Sequence, residues 1–448
     1  MKRIIIGAGC AGLTAAQTLL AAGEDDFVVL ESRKKAGGRM VTYSENGYHI
    51  DMAAQLVHPG YVAAKQLIHD MGMDDELVVS SMGGLRIFNG RDLVMPAPGG
   101  NAIELGKTLG WMEEMGGPEN FEKFTKFVED HVKGKMYEGS VDWFVDEFDQ
   151  KGNFSDFVAE NFGEGVLHNF VEPIMSAVGL CYPENAGIGF GLQIMWTVLA
   201  GEASLMKHGI GSLAQAVINT VGDHIRTGVE VTRIVIENGK AIGVETSEGE
   251  FIAADSVICA VPANHALPML ADAPGTITDA LAMVTYCPCI STLIMLDKSK
   301  FSFDGIGALY MRKLNSCFGV MSFKSPQSPQ SVPEGKEAIT CFVYEDGARK
   351  LWDKDQKEIA EAVIADMEQA IPGISDAVEG YYSVKFPEAN YLMESGTSAK
   401  IKEFRDYHYT DVEGLYLCGE YMYTGSYESA INAGRRAAQV ALGTLKSI

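Results

Sequence analysis

Gly7, Gly9 and Gly12 form a G-x-G-x-x-G run, and Glu31 closes the apolar stretch Phe27-Val28-Val29-Leu30 that comes after it. These residue types at this spacing can hold the pyrophosphate and ribose of a dinucleotide. Gly7 permits a sharp turn out of a strand, Gly9 lets the backbone approach a pyrophosphate, and Gly12 lets the next helix pack closely on the strand. Cys10 and Ala11 occupy the intervening positions, where the partial positive charge of a helix N-terminus would face the phosphates. Glu31 can accept hydrogen bonds from a ribose, which suits an unphosphorylated adenosine ribose rather than a 2′-phosphate. The plain alternative to a lone G-x-G-x-x-G is a Gly-rich turn that binds nothing. Here an apolar strand precedes it, a helix over Leu13 to Ala22 follows, and a second strand ends on the acid, so the full βαβ context is present.

Four further segments surround this unit. Ser32-Arg33-Lys34-Lys35-Ala36-Gly37-Gly38-Arg39-Met40 follows the acid at once, and Tyr48-His49-Ile50-Asp51-Met52-Ala53-Ala54-Gln55 follows that. Gly228-Val229-Glu230-Val231-Thr232-Arg233-Ile234 and the apolar run ending Val261-Pro262 lie mid-chain. Leu415-Tyr416-Leu417-Cys418-Gly419-Glu420 and a helix opening at Tyr427 lie near the C-terminus. With these segments in this order, the chain resembles the flavin-dependent amine oxidase superfamily, which also holds protoporphyrinogen oxidases, phytoene-type desaturases and polyamine oxidases.

The resemblance implies FAD as cofactor. It implies that Gly37, Gly38 and Arg39, flanked by Ser32 and Met40, wrap the pyrophosphate. Ala54 and Gln55 would lie beside the flavin ring, with Ala where Gly is usual. Val231 would contact the adenine half through its backbone. Gly419 and Glu420 would contact the ribityl or pyrophosphate part. The helix N-terminus at Tyr427 to Ala430 would face the pyrimidine end of the ring, where its dipole favours negative charge.

The implied fold class is α/β: a discontinuous Rossmann-type FAD-binding domain (1–73, 205–272 and 404–448) with an α+β substrate-binding domain built from two insertions (74–204 and 273–403). The first insertion reads mostly helical. Phe121 to Val128 and Val141 to Phe148 carry apolar residues at helical spacing, and Gly116-Gly117-Pro118 punctuates. The second reads as strands at Ile290 to Leu296, Cys317 to Phe323, Ala338 to Tyr344 and Gly380 to Phe386, plus an amphipathic helix at Asp355 to Ile371. A polar, Pro-rich loop begins at Ser325.

The flavin would carry the hard chemistry, taking a hydride from a C–H bond. Two departures from the amine oxidase pattern bear on the substrate. The stretch Tyr286-Cys287-Pro288-Cys289-Ile290-Ser291-Thr292-Leu293 matches the one where amine oxidases place a lysine, and it has none. Ser426 and Gly425 stand where an aromatic cage residue is common. The expected activity is therefore dehydrogenation of a mostly apolar small molecule, as in protoporphyrinogen oxidases and desaturases, with O2 or another electron acceptor. An amine oxidase is the alternative, and a redox-neutral flavin isomerase a second one. His58 is a candidate base, against the plainer reading of a structural His beside a Pro-Gly turn. Tyr423 is a candidate for the substrate site, against simple packing.

Composition bounds the rest. A chain of 448 residues, 47% hydrophobic and with a formal net charge of −24, is a soluble globular class that makes nucleic acid an unsuitable partner. Eight cysteines in this length are no disulfide framework, and no metal set is expected. A first strand starting almost at Met1 is read as lacking a signal peptide, with the cytoplasm as the default location. The apolar run Phe190 to Leu199 reads as a buried helix, with a peripheral membrane contact as the sharper alternative.

Overall fold

The computed structural model describes residues 2–81, 85–91, 93–94, 116–133, 135, 145, 147–199 and 202–446. The N-terminal run Ile4-Ile5-Ile6 is β-branched and wholly buried. Such a run suits a strand covered on both faces, as in a parallel sheet. The strand Arg3–Ile6 lies at the centre of a five-stranded parallel sheet. Its neighbours are Ser256–Cys259 on one side and Phe27–Glu31 on the other, with Leu415–Leu417 and Ile225–Thr227 at the two edges. These five strands come from three separated stretches of chain. The helix Cys10–Ala21 packs on this sheet, and the C-terminal helix Tyr427–Ala441 packs against it. The approach is close: a Cβ on Gly434 would lie 2.1 Å from the Ala11 carbonyl oxygen.

A second, mixed sheet of seven strands stands beside the first. Its order is Val378–Tyr391, Tyr286–Asp297, Lys336–Tyr344, Phe318–Phe323, Gly307–Tyr310, Leu85–Phe88, Leu93–Val94. All pairings are antiparallel except Gly307–Tyr310 with Leu85–Phe88. One face carries Ile290, Ile294, Phe318, Met321, Ile339, Cys341 and Val343, packed under the helix Gln356–Ala370. That helix opens on a capping box, Asp355 with Glu358, as its sequence suggests. The opposite face carries Leu293, Met295 and Ala338 and meets Ile50 and Met52, which follow the second strand of the parallel sheet.

Among the described residues 74–204 is mostly helical, as expected, but it also carries short strands that the periodicity did not indicate. Leu77–Ser81 pairs with Glu202–Met206, and Leu85–Phe88 and Leu93–Val94 join the seven-stranded sheet. These strands are short, and strand edges decide them by tertiary pairing rather than by periodicity. The helix over Phe121 to Val128 forms, as Pro118–Val132 with Pro118 in its first turn. The expected helix over Val141 to Phe148 lies largely outside the described residues. Ile188–Leu199 is a buried helix, in keeping with its unbroken apolar run. No helix among the described residues is long and apolar enough to cross a membrane.

Candidate functional site

The loop after the first strand turns at Gly7, whose φ of +94° suits glycine. A Cβ on Gly12 would meet the Gly7 carbonyl oxygen at 1.9 Å, so only glycine permits this helix–strand contact. A Cβ on Gly9 would meet nothing nearer than the Gly38 Cα at 3.9 Å, which leaves open space at the N-terminus of the helix Cys10–Ala21. The second glycine pair closes over this loop: the Gly37 N–H donates to the Ala8 carbonyl at 2.8 Å, and the Met40 N–H to Gly37 at 3.1 Å. Cys10 begins the helix, and burial pushes its thiol far above the ordinary value, so it packs as a neutral group.

Glu31 ends its strand with its carboxylate held by backbone donors. The Ala8 N–H donates to one oxygen at 2.8 Å and the Arg33 N–H to the other at 2.9 Å. The Ser32 hydroxyl lies 3.5 Å away. Each oxygen keeps a lone pair for a ribose hydroxyl. The Val229 N–H donates to the Glu31 carbonyl at 2.9 Å, which brings the start of the strand Val231–Glu237 alongside the acid. Glu31, Ser32 and the start of the strand at Val231 are therefore neighbours.

Arg39 pairs with Glu420 at 2.7 Å. Arg39 also donates to the Glu388 carbonyl at 2.8 Å. The other Glu420 oxygen is buried with no hydrogen-bond partner among the described residues. A buried, unsatisfied carboxylate oxygen beside an open Gly-lined loop calls for a donor from a ligand. Gly419 precedes it in extended backbone at the end of Leu415–Leu417.

The Tyr427 hydroxyl, on the first residue of the C-terminal helix, donates to the Leu56 carbonyl at 3.0 Å. Ala54 and Gln55 thus lie beside that helix N-terminus, and Ala430 lies in its first turn. Glu428 accepts the Ala63 and Ala64 N–H groups, each at 2.7 Å, and so caps the helix Val62–Asp70. Burial holds this carboxyl above its ordinary value.

His58 and Tyr423 are placed differently. The His58 ring packs edge-on against Tyr61, which packs against Tyr427. Its Nδ1 is buried with no hydrogen-bond partner among the described residues, and burial pushes the imidazole down to about 4. Tyr423 is buried under the Arg405 guanidinium, 4.8 Å from its ring centre.

Three further groups are placed by the structure; Asp51 and Glu428 lie in segments that carry the resemblance but were given no role of their own, and Lys324 was not singled out. Asp51 accepts the Thr42 hydroxyl at 2.6 Å and the Ile210 N–H at 2.8 Å, capping Ile210–Val221; burial pushes it up to about 7. Lys324 reaches Gln55 from the seven-stranded sheet. Glu428 is the third. Acids and a lysine at element ends ordinarily read as solvated, so pattern alone gave no signal for them.

These groups lie where strands of the parallel sheet end and the N-termini of two helices converge, with Cys10 Sγ 3.7 Å from the Tyr427 carbonyl oxygen, which is where such sheets bind nucleotides. Residues 10–442 match the family described as flavin containing amine oxidoreductase. The chain belongs to this family of FAD-dependent oxidoreductases. Coproporphyrinogen III oxidase of Bacillus subtilis is 21% identical, over 99% of this chain and 98% of its own length. A probable zeta-carotene desaturase of Synechococcus elongatus is 24% identical over 99% and 98%. The crystal structure of a putative protoporphyrinogen oxidase from Exiguobacterium sp. 255-15 superposes with a TM-score of 0.78 at 17% identity, covering 99% of both chains. The residues present fit FAD: the Gly-lined loop, the oriented Glu31 and the unsatisfied Glu420 oxygen each answer one part of it. When bound, FAD supplies a two-electron acceptor; the chain's own residues bind, orient and shield it.

Proposed function

We propose that this protein dehydrogenates a mostly apolar small molecule, of porphyrinogen or polyene type, by hydride transfer to FAD. The observation that carries the reading is where the tyrosines of the last segment lie. An aromatic cage beside the ring is common in amine oxidases of this kind. Tyr421 is wholly buried, Tyr423 is stacked under Arg405, and the Tyr427 hydroxyl is bonded to Leu56. Gly425 leaves no room for a larger side chain, since a Cβ there would lie 2.7 Å from Asn390 Oδ1. These positions supply no cage. The coproporphyrinogen oxidase and desaturase relatives support the same direction. Hydride leaves a C–H bond with two electrons, and the remaining proton departs to solvent. The Glu31, Arg39 and Glu420 groups hold the cofactor, and the mixed sheet forms the wall opposite it.

The test is anaerobic bleaching of the bound flavin by a panel of substrates. A porphyrinogen or a polyene should bleach it, and primary or secondary amines should not. Bleaching by amines alone overturns the reading. A flavin that must be reduced once and then turns substrate over without oxidant points instead to redox-neutral isomerisation.

A further inference from the structure

Lys324 follows the strand Phe318–Phe323, at a position where a lysine ordinarily points to water. Here its residue exposure is only 7%. Side chains alternate along a strand, and Phe318, Met321 and Phe323 enter the core under the helix Gln356–Ala370. Ser322 and Lys324 therefore face the nucleotide-binding half. The Lys324 ammonium donates to Gln55 Oε1 at 2.8 Å and to Ser322 Oγ at 3.1 Å. Gln55 Nε2 in turn donates to the Asp51 carbonyl at 3.1 Å. The next residue, Leu56, is held by Tyr427 at the N-terminus of the C-terminal helix.

Two carboxylates, Asp51 and Glu337, act on this ammonium through space without touching it. Glu337 accepts the N–H groups of Lys324, Ser325 and Ala338 at 3.1, 2.8 and 2.9 Å, and also the Ser325 hydroxyl. Asp51 is taken by Thr42 and Ile210. Both bonds of the ammonium thus go to neutral oxygens, and an ammonium has three donors. A buried cation with no carboxylate in direct contact is costly. Asp51 and Glu337 offset part of that cost, and the bond to Gln55 puts the ammonium behind the Ala54-Gln55 segment.

We propose that Lys324 is an electrostatic positioning residue for the cofactor: through Gln55 it fixes the segment beside the flavin ring, and its ammonium favours the negative charge the ring gains on reduction. A hydride brings two electrons and one proton, so a neutral oxidised ring becomes a monoanion while the donor is oxidised by two electrons. A nearby fixed cation in a low-dielectric site favours that product. Burial lowers the Lys324 ammonium to about 8, so the charge is present at neutral pH and fades as pH rises past that value. The inference depends on FAD binding and not on which substrate is oxidised.

The test uses the FAD-loaded protein and needs no substrate. In Lys324→Met at neutral pH, the two-electron reduction equilibrium should fall at least tenfold, about 30 mV for a two-electron couple. Sulfite, which adds to oxidised flavin to give an anionic adduct, should bind at least tenfold more weakly. Lys324→Arg should restore most of both. A merely structural lysine would change thermal stability or FAD loading and leave potential and sulfite affinity in place; that result overturns the proposal. If Lys324→Met does not load FAD, Lys324→Gln, which keeps a hydrogen bond without the charge, decides by the same two readouts.

Discussion

His58 is a buried imidazole that resists protonation, and this fixes what it can do. Its value falls from 6.5 to about 4 through burial. The folded protein therefore refuses a proton that the unfolded chain accepts. The stability linked to His58 is fully present above pH 6.5 and is lost as pH falls from there towards 4. The shift corresponds to at most about 3 kcal/mol. His58→Phe should flatten the fall in unfolding free energy between pH 7 and 4, measured by urea titration at stepped pH. The rate of flavin reduction should show no inflection from His58 near 6.5. A clear inflection there that vanishes in the variant would restore it as a working base. The sequence marked His58 by type and place, but only burial sets its basicity.

At the level of elements, two glycines on paired helices separate binding from folding. Gly9 has free space where a Cβ would stand, whereas Gly434 is against the Ala11 carbonyl. Gly9→Ala should keep its unfolding free energy within about 1 kcal/mol of the parent chain, near the helix-propensity scale. It should bind FAD at least tenfold more weakly, as read by flavin retention on dialysis. Gly434→Val forces the C-terminal helix off Cys10–Ala21 and should cost about 1–3 kcal/mol or more, as overpacking does. Equal losses of stability in the two variants would remove the assignment of the Gly9 space to a ligand. The βαβ unit was legible from sequence because each part of it is local: apolar run, glycines, helix and acid. The strands Leu77–Ser81, Leu85–Phe88 and Leu93–Val94 were not legible, because their identity depends on distant partners, Glu202–Met206 and Gly307–Tyr310.

Across the whole molecule, Arg39 ties three distant stretches together. It leaves the loop after the second strand, pairs with Glu420 before the C-terminal helix, and bonds the Glu388 carbonyl on the long strand Val378–Tyr391. Arg39→Met leaves Glu420 buried without its cation. Removing one partner of a buried pair costs roughly 3–5 kcal/mol, and less here because the Arg39 side chain is 32% exposed. The expected result is a folded protein that loses FAD on gel filtration, with Arg39→Lys intermediate because a point charge replaces a forked donor. Full retention of flavin in Arg39→Met would show that the pair serves only to join the two halves.

The sequence by itself determined the cofactor class and the α/β frame. A pyrophosphate loop needs particular residues at particular short spacings, and chain proximity alone supplies them. It also carried the departures in the stretch Tyr286 to Leu293 and at Ser426, because those are identities in matched segments. Tertiary structure alone decided which polar groups come together at the site. Lys324 and Gln55 are 269 positions apart, and Glu428 and Ala63 are 365 apart. Nothing local distinguishes a lysine at the end of a strand that will be buried from one that will be solvated. That distinction is made when the two sheets close on each other and exclude water from the space between them.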